Sequence, residues 1–245
     1  MTVGLRAAWR LLRCVVHSLH GLAIVLLRFS AFDAAQRQAR IRWWSTKLLR
    51  LMGIAMQVEG RAHEGGALLV ANHVSWLDIS ALHAVVPQAR FVSKADIQSW
   101  PLVAQLADAA DTLYLQRERK RDALRVVHVV AEALTAGQLV AVFPEGTTSD
   151  GRALLPFHAN LLQAAIATAT PIQPVALRFS DARERISPAV EFVGATTLVE
   201  SLWRVACAEQ LVAHVALLPA RPSAEADRRA LAQALRDDIA AQLAR

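Results

Sequence analysis

Two short stretches hold residue types suited to chemistry. The first is Asn72-His73-Val74-Ser75-Trp76-Leu77-Asp78, the second Phe143-Pro144-Glu145-Gly146-Thr147-Thr148-Ser149. A histidine titrates near neutral pH, which makes His73 a candidate general base. It then needs a partner that holds its other ring nitrogen and balances the imidazolium. Asp78 lies five residues on. On one continuous helix that spacing turns the side chains about 140° apart. The two meet only if His73 sits on an entry loop and Asp78 on the first helical turn. Ser75-x-x-Asp78 is also a capping-box pattern, a structural job worth about 1 kcal/mol. In the second stretch, Gly146 would let backbone N–H groups approach an anion while Glu145 bound an acceptor hydroxyl. The alternative there is plain turn and cap chemistry, Pro-Glu-Gly followed by Thr and Ser.

Each stretch follows an apolar run that reads as a strand, at 67–72 and 138–143. Similar runs recur at 56–60, 90–94, 112–116, 172–179, 189–194 and 212–218. Helical patterns fall near 76–86, 99–109, 119–136, 158–170, 197–207 and 224–243. In the last, Leu231, Leu235, Ile239 and Leu243 stand four apart behind Ser223, the expected N-cap. This alternation predicts an α/β fold with a single mixed, largely parallel sheet covered by helices. Sites in such sheets gather in strand-to-helix loops at the strands' C-terminal ends. Both stretches fall there.

Composition narrows the classes. The 245 residues are 54% hydrophobic, too apolar for a disordered chain and too long for a disulfide miniprotein. Cys14 and Cys207 form no CxxC pair, and a reduced protein is expected. His17 and His20 lie one helical turn apart without further ligands, so no metal site is expected. There is no P-loop or GxGxxG stretch to hold a nucleotide cofactor. Ser75 lacks the flanking glycines of a hydrolase nucleophile elbow.

The charge is lopsided. Formal net charge is +6, yet residues 1–61 hold ten Lys/Arg against only Asp33 and Glu59. The remainder holds 17 basic and 19 acidic residues, so the surplus sits in the N-terminal quarter. That quarter is also apolar, which points to anionic lipid headgroups rather than nucleic acid. Cys14–Leu27 carries no formal charge but is shorter than the about 20 residues of a bilayer span. Ile41, Trp44, Leu48, Leu51 and Met52 fall at helical spacing, with Arg40, Arg42, Lys47 and Arg50 off that stripe and Gly53 as the stop. Residues 1–53 are therefore expected to form a basic helical hairpin dipped into one leaflet, ahead of an α/β domain at 54–245. The alternative is two ordinary helices covering the core.

Taken together, the two loops resemble the glycerolipid acyltransferase family typified by 1-acylglycerol-3-phosphate acyltransferases. That family carries an N-H-x-x-x-x-D block and an F-P-E-G-T-x-S block, here at 72–78 and 143–149. Two looser blocks also match. RFVSK with SWPLV and Tyr114-Leu115-Gln116-Arg117 resembles the second; Pro171-Ile172-Gln173-Pro174-Val175 resembles the fourth. The resemblance covers roughly 65–180 and implies an acyltransferase without a cofactor. His73 would take the proton of an acceptor hydroxyl, which attacks the thioester of acyl-CoA or acyl-carrier protein directly, and Asp78 would orient His73. Asn72, Arg117, Glu145, Gly146 and Thr147 would bind substrate, the arginine taking an anionic headgroup. The expected acceptor is 1-acyl-sn-glycerol-3-phosphate, giving phosphatidic acid, at the cytoplasmic face of the inner membrane, with the protein peripheral or monotopic. Three departures make the acceptor region less cationic: Asp111 for the usual Gly, Thr148 for Arg and His158 for Lys. They keep open a lyso-ornithine lipid acceptor. A non-catalytic peripheral lipid-binding module is the alternative from another class.

Overall fold

The computed structural model describes residues 2–94, 98, 101–115 and 120–245. The strands are β1 (Ile54–Glu59), β2 (Ala67–Ala71), β3 (Arg90–Lys94), β4 (Leu113–Leu115), β5 (Leu139–Val142), β6 (Ile172–Ser180) and β7 (Leu211–Leu217). The helices are α1 (Val3–Arg28), α2 (Ala34–Met52), α3 (Leu77–Val85), α4 (Pro101–Ala109), α5 (Lys120–Thr135), α6 (Gln163–Ala167), α7 (Leu198–Cys207) and α8 (Arg228–Ala244). Among the described residues the strands make one sheet in the order β1-β7-β6-β2-β5-β3-β4. Every neighbouring pair is parallel except β6 with β7. The sheet is mixed and largely parallel, as the alternating pattern predicts.

Helices cover both faces, so the central strands are apolar without interruption. Leu69 and Ala71 of β2 join a core with α2, α3 and α7. Leu68 and Val70 point the other way, into a core with α5, α6 and α8. From β2 the chain crosses one face through α3 to reach β3, beyond β5. From β5 it crosses the opposite face through α6 to reach β6, beyond β2. The β2/β5 seam is thus the point where connections diverge. Open α/β sheets form their ligand crevices at such a point.

Three expected elements differ. The 189–194 run is not a strand: Pro188–Val190 is a single 3-10 turn, and the following residues are irregular. The Phe192 backbone groups pair with the site loops rather than a neighbouring strand, the N–H on the Val74 carbonyl and the carbonyl on Thr148, and Val190 packs into the same core as Val74. The last helix begins at Asp227, whose carboxylate accepts from the Arg229 and Ala230 N–H groups. Ser223 is buried instead, its hydroxyl shared between the Ala165 and Thr170 carbonyls. The 158–170 helix is broken into a 3-10 turn at Ala159–Leu162 and the short α6.

At the N-terminus, α2 starts on an Asp33/Gln36 capping box and stops at Gly53, which adopts φ 83°. Leu48, Leu49, Leu51 and Met52 lie in the same core as the sheet. α1 buries a stripe of mostly small residues, Ala7, Cys14, His17 and Gly21. Its approach to α2 is close: a Cβ on Gly21 would lie 2.5 Å from the Trp44 indole nitrogen. His17 bonds the Trp44 carbonyl at 3.0 Å and stacks on the Trp44 ring. Two of the segment's cations tie it to the end of α7. Arg6 pairs with Glu209 and donates to the Cys207 carbonyl, and Arg10 donates to the carbonyls of Ala206 and Ala208. Cations there complement the dipole at the end of α7.

Candidate active site

Parallel pairing of β2 with β5 in the register Val70↔Val142 brings the two loops side by side. Three residues past the last pair on each strand, His73 and Glu145 stand opposite one another. The Glu145 carboxylate accepts the His73 backbone N–H at 2.8 Å and the Leu155 N–H at 2.9 Å. The His73 carbonyl accepts from the Ser149 N–H at 2.8 Å. Both backbone polar groups of His73 are therefore held by the second loop. Burial pushes the Glu145 carboxyl upward, and the two N–H donors oppose that shift only in part.

The His73 side chain meets Asp78 as the loop-then-helix layout requires. Nδ1 lies 2.7 Å from Asp78 Oδ2. The same oxygen accepts the N–H groups of Val74 at 2.7 Å and Ser75 at 2.9 Å. Asp78 is fully buried in the first turn of α3, while the His73 side chain keeps 19% of its surface open. The two readings of Asp78 merge here. Half of the capping box forms, Ser75 N–H onto Asp78, and the oxygen that makes it also fixes the imidazole. A histidine whose Nδ1 faces a carboxylate has Nε2 as its free base. Among the described residues nothing hydrogen-bonds to that nitrogen. Phe143, the last residue before the turn, lies flat on the imidazole with ring centroids 4.0 Å apart and planes 11° apart.

The other expected site residues are placed as follows. Asn72 is buried, and its amide continues the β2–β6 ladder: Nδ2 donates to the Leu177 carbonyl at 2.8 Å and Oδ1 accepts the Leu177 N–H at 2.7 Å. Both polar ends of Asn72, like both oxygens of Glu145, are thus taken by backbone rather than turned toward a substrate. Gly146 sits at φ 72°, a backbone state that favours glycine, and its N–H closes the turn onto the Phe143 carbonyl. Thr147 is exposed at the loop's tip. Arg117 lies outside the described residues. Of the three departures, Asp111 occupies φ 52°, Thr148 donates its hydroxyl to the Phe192 carbonyl, and His158 is exposed with its N–H on the Pro144 carbonyl.

Sequence reasoning missed two supports. The 189–194 segment straps the site from the side, with the Phe192 N–H on the Val74 carbonyl at 3.3 Å and the Phe192 carbonyl on Thr148. The Phe143 stack was the other. Its only signal was an aromatic residue at the end of a strand and the head of the second block, with nothing to pair it with His73.

A sequence model of the acyltransferase family matches residues 54–178. The chain is 37% identical to the lyso-ornithine lipid O-acyltransferase of Pseudomonas aeruginosa over 198 residues, covering 80% of this chain and 75% of that protein. It is also 37% identical to the 1-acyl-sn-glycerol-3-phosphate acyltransferase of Neisseria meningitidis over 202 residues, 80% of this chain and 78% of that one. The fold matches the crystal structure of PlsC, a 1-acyl-sn-glycerophosphate acyltransferase from Thermotoga maritima. The TM-score is 0.69, the match covers 96% of each chain, and the sequences are 18% identical.

Proposed function

The chain belongs to the acyltransferase family, and from that premise we propose how it acylates a lysolipid. His73 takes the proton from the acceptor's free hydroxyl through Nε2. The alkoxide oxygen attacks the thioester carbonyl of an acyl-CoA or acyl-carrier-protein donor, and the thiolate leaves with the proton returned from the imidazolium. No acyl-enzyme forms, and the chemistry needs no cofactor. Asp78 is a positioning residue: it holds the tautomer and stabilises the imidazolium. The observation that carries this reading is the 2.7 Å contact between His73 Nδ1 and Asp78 Oδ2 beneath an imidazole edge left open. A positioned base contributes about 10²–10⁴ in rate. Glu145 serves the site by fixing the His73 backbone, and Asn72 by extending the β2–β6 ladder beside it. Gly146, Thr147 and Arg117 are proposed to face the acceptor.

The first acceptor to test is 1-acyl-sn-glycerol-3-phosphate. A lyso-ornithine lipid is the second, favoured by one observation: the positions held by Asp111, Thr148 and His158 offer no fixed cation to a phosphate monoester, and Thr148 is bound to Phe192. Membrane attachment on the cytoplasmic face is proposed for α1, whose outward residues are large and apolar.

The test is thiol release from acyl-CoA and from acyl-carrier protein across a panel of lysolipids. The expected result is release that depends on a lysolipid and that His73→Ala abolishes with folding intact. A lipid-binding module without turnover predicts no release. Substantial activity in His73→Ala would end the mechanism.

A further inference from the structure

We infer that Phe143 is a second positioning residue for the base, acting through its ring face. The inference rests on His73 being that base.

The argument starts from what one hydrogen bond leaves loose. The terminal torsion of a histidine is broad rather than locked into narrow wells. A contact from Nδ1 to Asp78 Oδ2 sets one atom and tolerates some tens of degrees of tilt. It does not set the plane of the ring, and the plane decides where the Nε2 lone pair points. Phe143 supplies that missing constraint. Its ring lies nearly parallel to the imidazole at 4.0 Å, so a tilt toward it meets a solid face. An in-plane contact on one edge and a plate on one side leave Nε2 a single direction.

The plate is itself supported. Phe91 of β3, buried in the core, stacks behind Phe143 with centroids 5.7 Å apart and planes 19° apart. His83 of α3 meets Phe91 edge-on at 4.8 Å and is tied to the Ala89 carbonyl at 3.0 Å. The four rings form a column from α3 through β3 to the end of β5 and onto His73. The helix that carries Asp78 in its first turn thus anchors the column from its last turn. One element fixes the imidazole in two directions. The negative face of the phenyl ring also attracts the imidazolium that forms when the base takes its proton.

The test compares ring-bearing and ringless side chains at 143 in the lysolipid-dependent thiol-release assay, with His73→Ala alongside. Phe143→Met keeps most of the volume without a ring; its kcat is expected to fall about 10- to 100-fold, with KM for both substrates within about two-fold. Phe143→Tyr keeps the stack and is expected to recover kcat to within about three-fold of the parent. A purely structural role predicts the reverse split, with loss of melting temperature and unchanged turnover in the folded fraction. If Phe143→Met does not fold, Phe91→Leu decides, since it leaves the direct stack and removes its backing; about a three- to ten-fold fall in kcat is expected. A folded Phe143→Met, or failing that a folded Phe91→Leu, whose kcat stays within two-fold of the parent overturns the inference. So does a Tyr variant as slow as Met. If His73→Ala is dead while Phe143→Met runs normally, only this inference falls. If His73→Ala is active, the base assignment falls with it.

Discussion

The site and α1 invert the usual rule of burial in opposite senses. At the β2/β5 seam polar groups go inside: Asn72, Asp78 and Glu145 are all buried, and backbone groups hold both polar ends of Asn72, both oxygens of Glu145 and Oδ2 of Asp78. Along α1 apolar groups go outside. Leu5, Trp9, Leu12, Val16, Leu19 and Leu26 are all exposed and fall on one line at alternating steps of three and four or their sum, opposite the buried Ala7, Cys14 and Gly21. Large residues face out and small ones face in. Each inversion costs free energy in an isolated soluble chain, and each makes sense only with an outside component. On the proposed mechanism, buried polar groups hold one imidazole at a fixed angle for a substrate, whereas an exposed apolar stripe needs a membrane or another apolar face to cover it.

The largest effect expected on the first half of that contrast comes from Asp78→Asn. One oxygen serves His73, Val74 and Ser75. An amide keeps an acceptor for the backbone donors but turns N–H toward His73 Nδ1 or leaves it bare, so the imidazole loses its tautomer. We expect kcat to fall about 10²–10⁴-fold and stability to fall by about 1–3 kcal/mol, read by steady-state kinetics and urea denaturation. Unchanged turnover with lost stability would reduce Asp78 to a cap.

Glu145→Gln should come next. Two backbone N–H groups converge on its carboxylate, and a glutamine offers one acceptor oxygen and one misplaced donor. The expected cost is about 2 kcal/mol, with a fall in kcat of about ten-fold as the His73 backbone shifts. If activity persists while the acceptor KM rises steeply, Glu145 binds substrate after all.

These two expectations show which parts of the site were legible. The motif loops were, because a histidine or a Pro-Glu-Gly turn at the end of an apolar run is a local signal. Their convergence followed only from α/β alternation, and the register that sets His73 against Glu145 is a long-range fact. Asn72 illustrates the limit. Its amide pairs with Leu177, 105 residues away, and nothing near Asn72 names that partner. The 189–194 run misled for a related reason. Val190 is buried in the core while Phe192 and Val193 are only half-buried, and an apolar run of that kind does not distinguish a strand from a strap. Ser223 was a plausible cap by type, yet the helix took Asp227 and left the serine for two interior carbonyls. At the N-terminus the charge surplus was legible, but the work of Arg6 and Arg10 at the end of α7 was not.

The second half of the contrast breaks on α1 itself. Removing residues 1–52 would also strip Leu49 and Met52 from the core, so surface substitution is the cleaner tool. Leu12, Val16 and Leu19 are each about half exposed. Changing all three to serine forfeits roughly 1 kcal/mol each on transfer into lipid, so binding to vesicles containing anionic lipid should weaken about 100-fold with the fold unchanged. Undiminished co-sedimentation would place the anchor elsewhere. A change in oligomeric state without a change in vesicle binding would make the stripe a seam between two copies of the chain.

The smallest effect sits at the far end of the ring column, where burial acts on a titratable group. His83 is buried against Phe91, and desolvation lowers its pKa from 6.5 to about 4 despite the hydrogen bond to Ala89. Between those values the unfolded chain binds a proton that the folded chain refuses. Stability from the neutral ring is therefore complete above pH 6.5 and lost progressively as pH falls toward 4. Between pH 6.5 and pH 5 the loss is about 2 kcal/mol, at about 1.4 kcal/mol per pH unit. His83→Gln retains a donor for the Ala89 carbonyl but does not titrate. The parent should lose about 2 kcal/mol more than the variant between pH 7 and pH 5 in urea melts, whatever the carboxylates contribute to both. Equal losses would mean that the ring takes its proton in place, and that the base of the column is softer than the neutral, hydrogen-bonded imidazole implies.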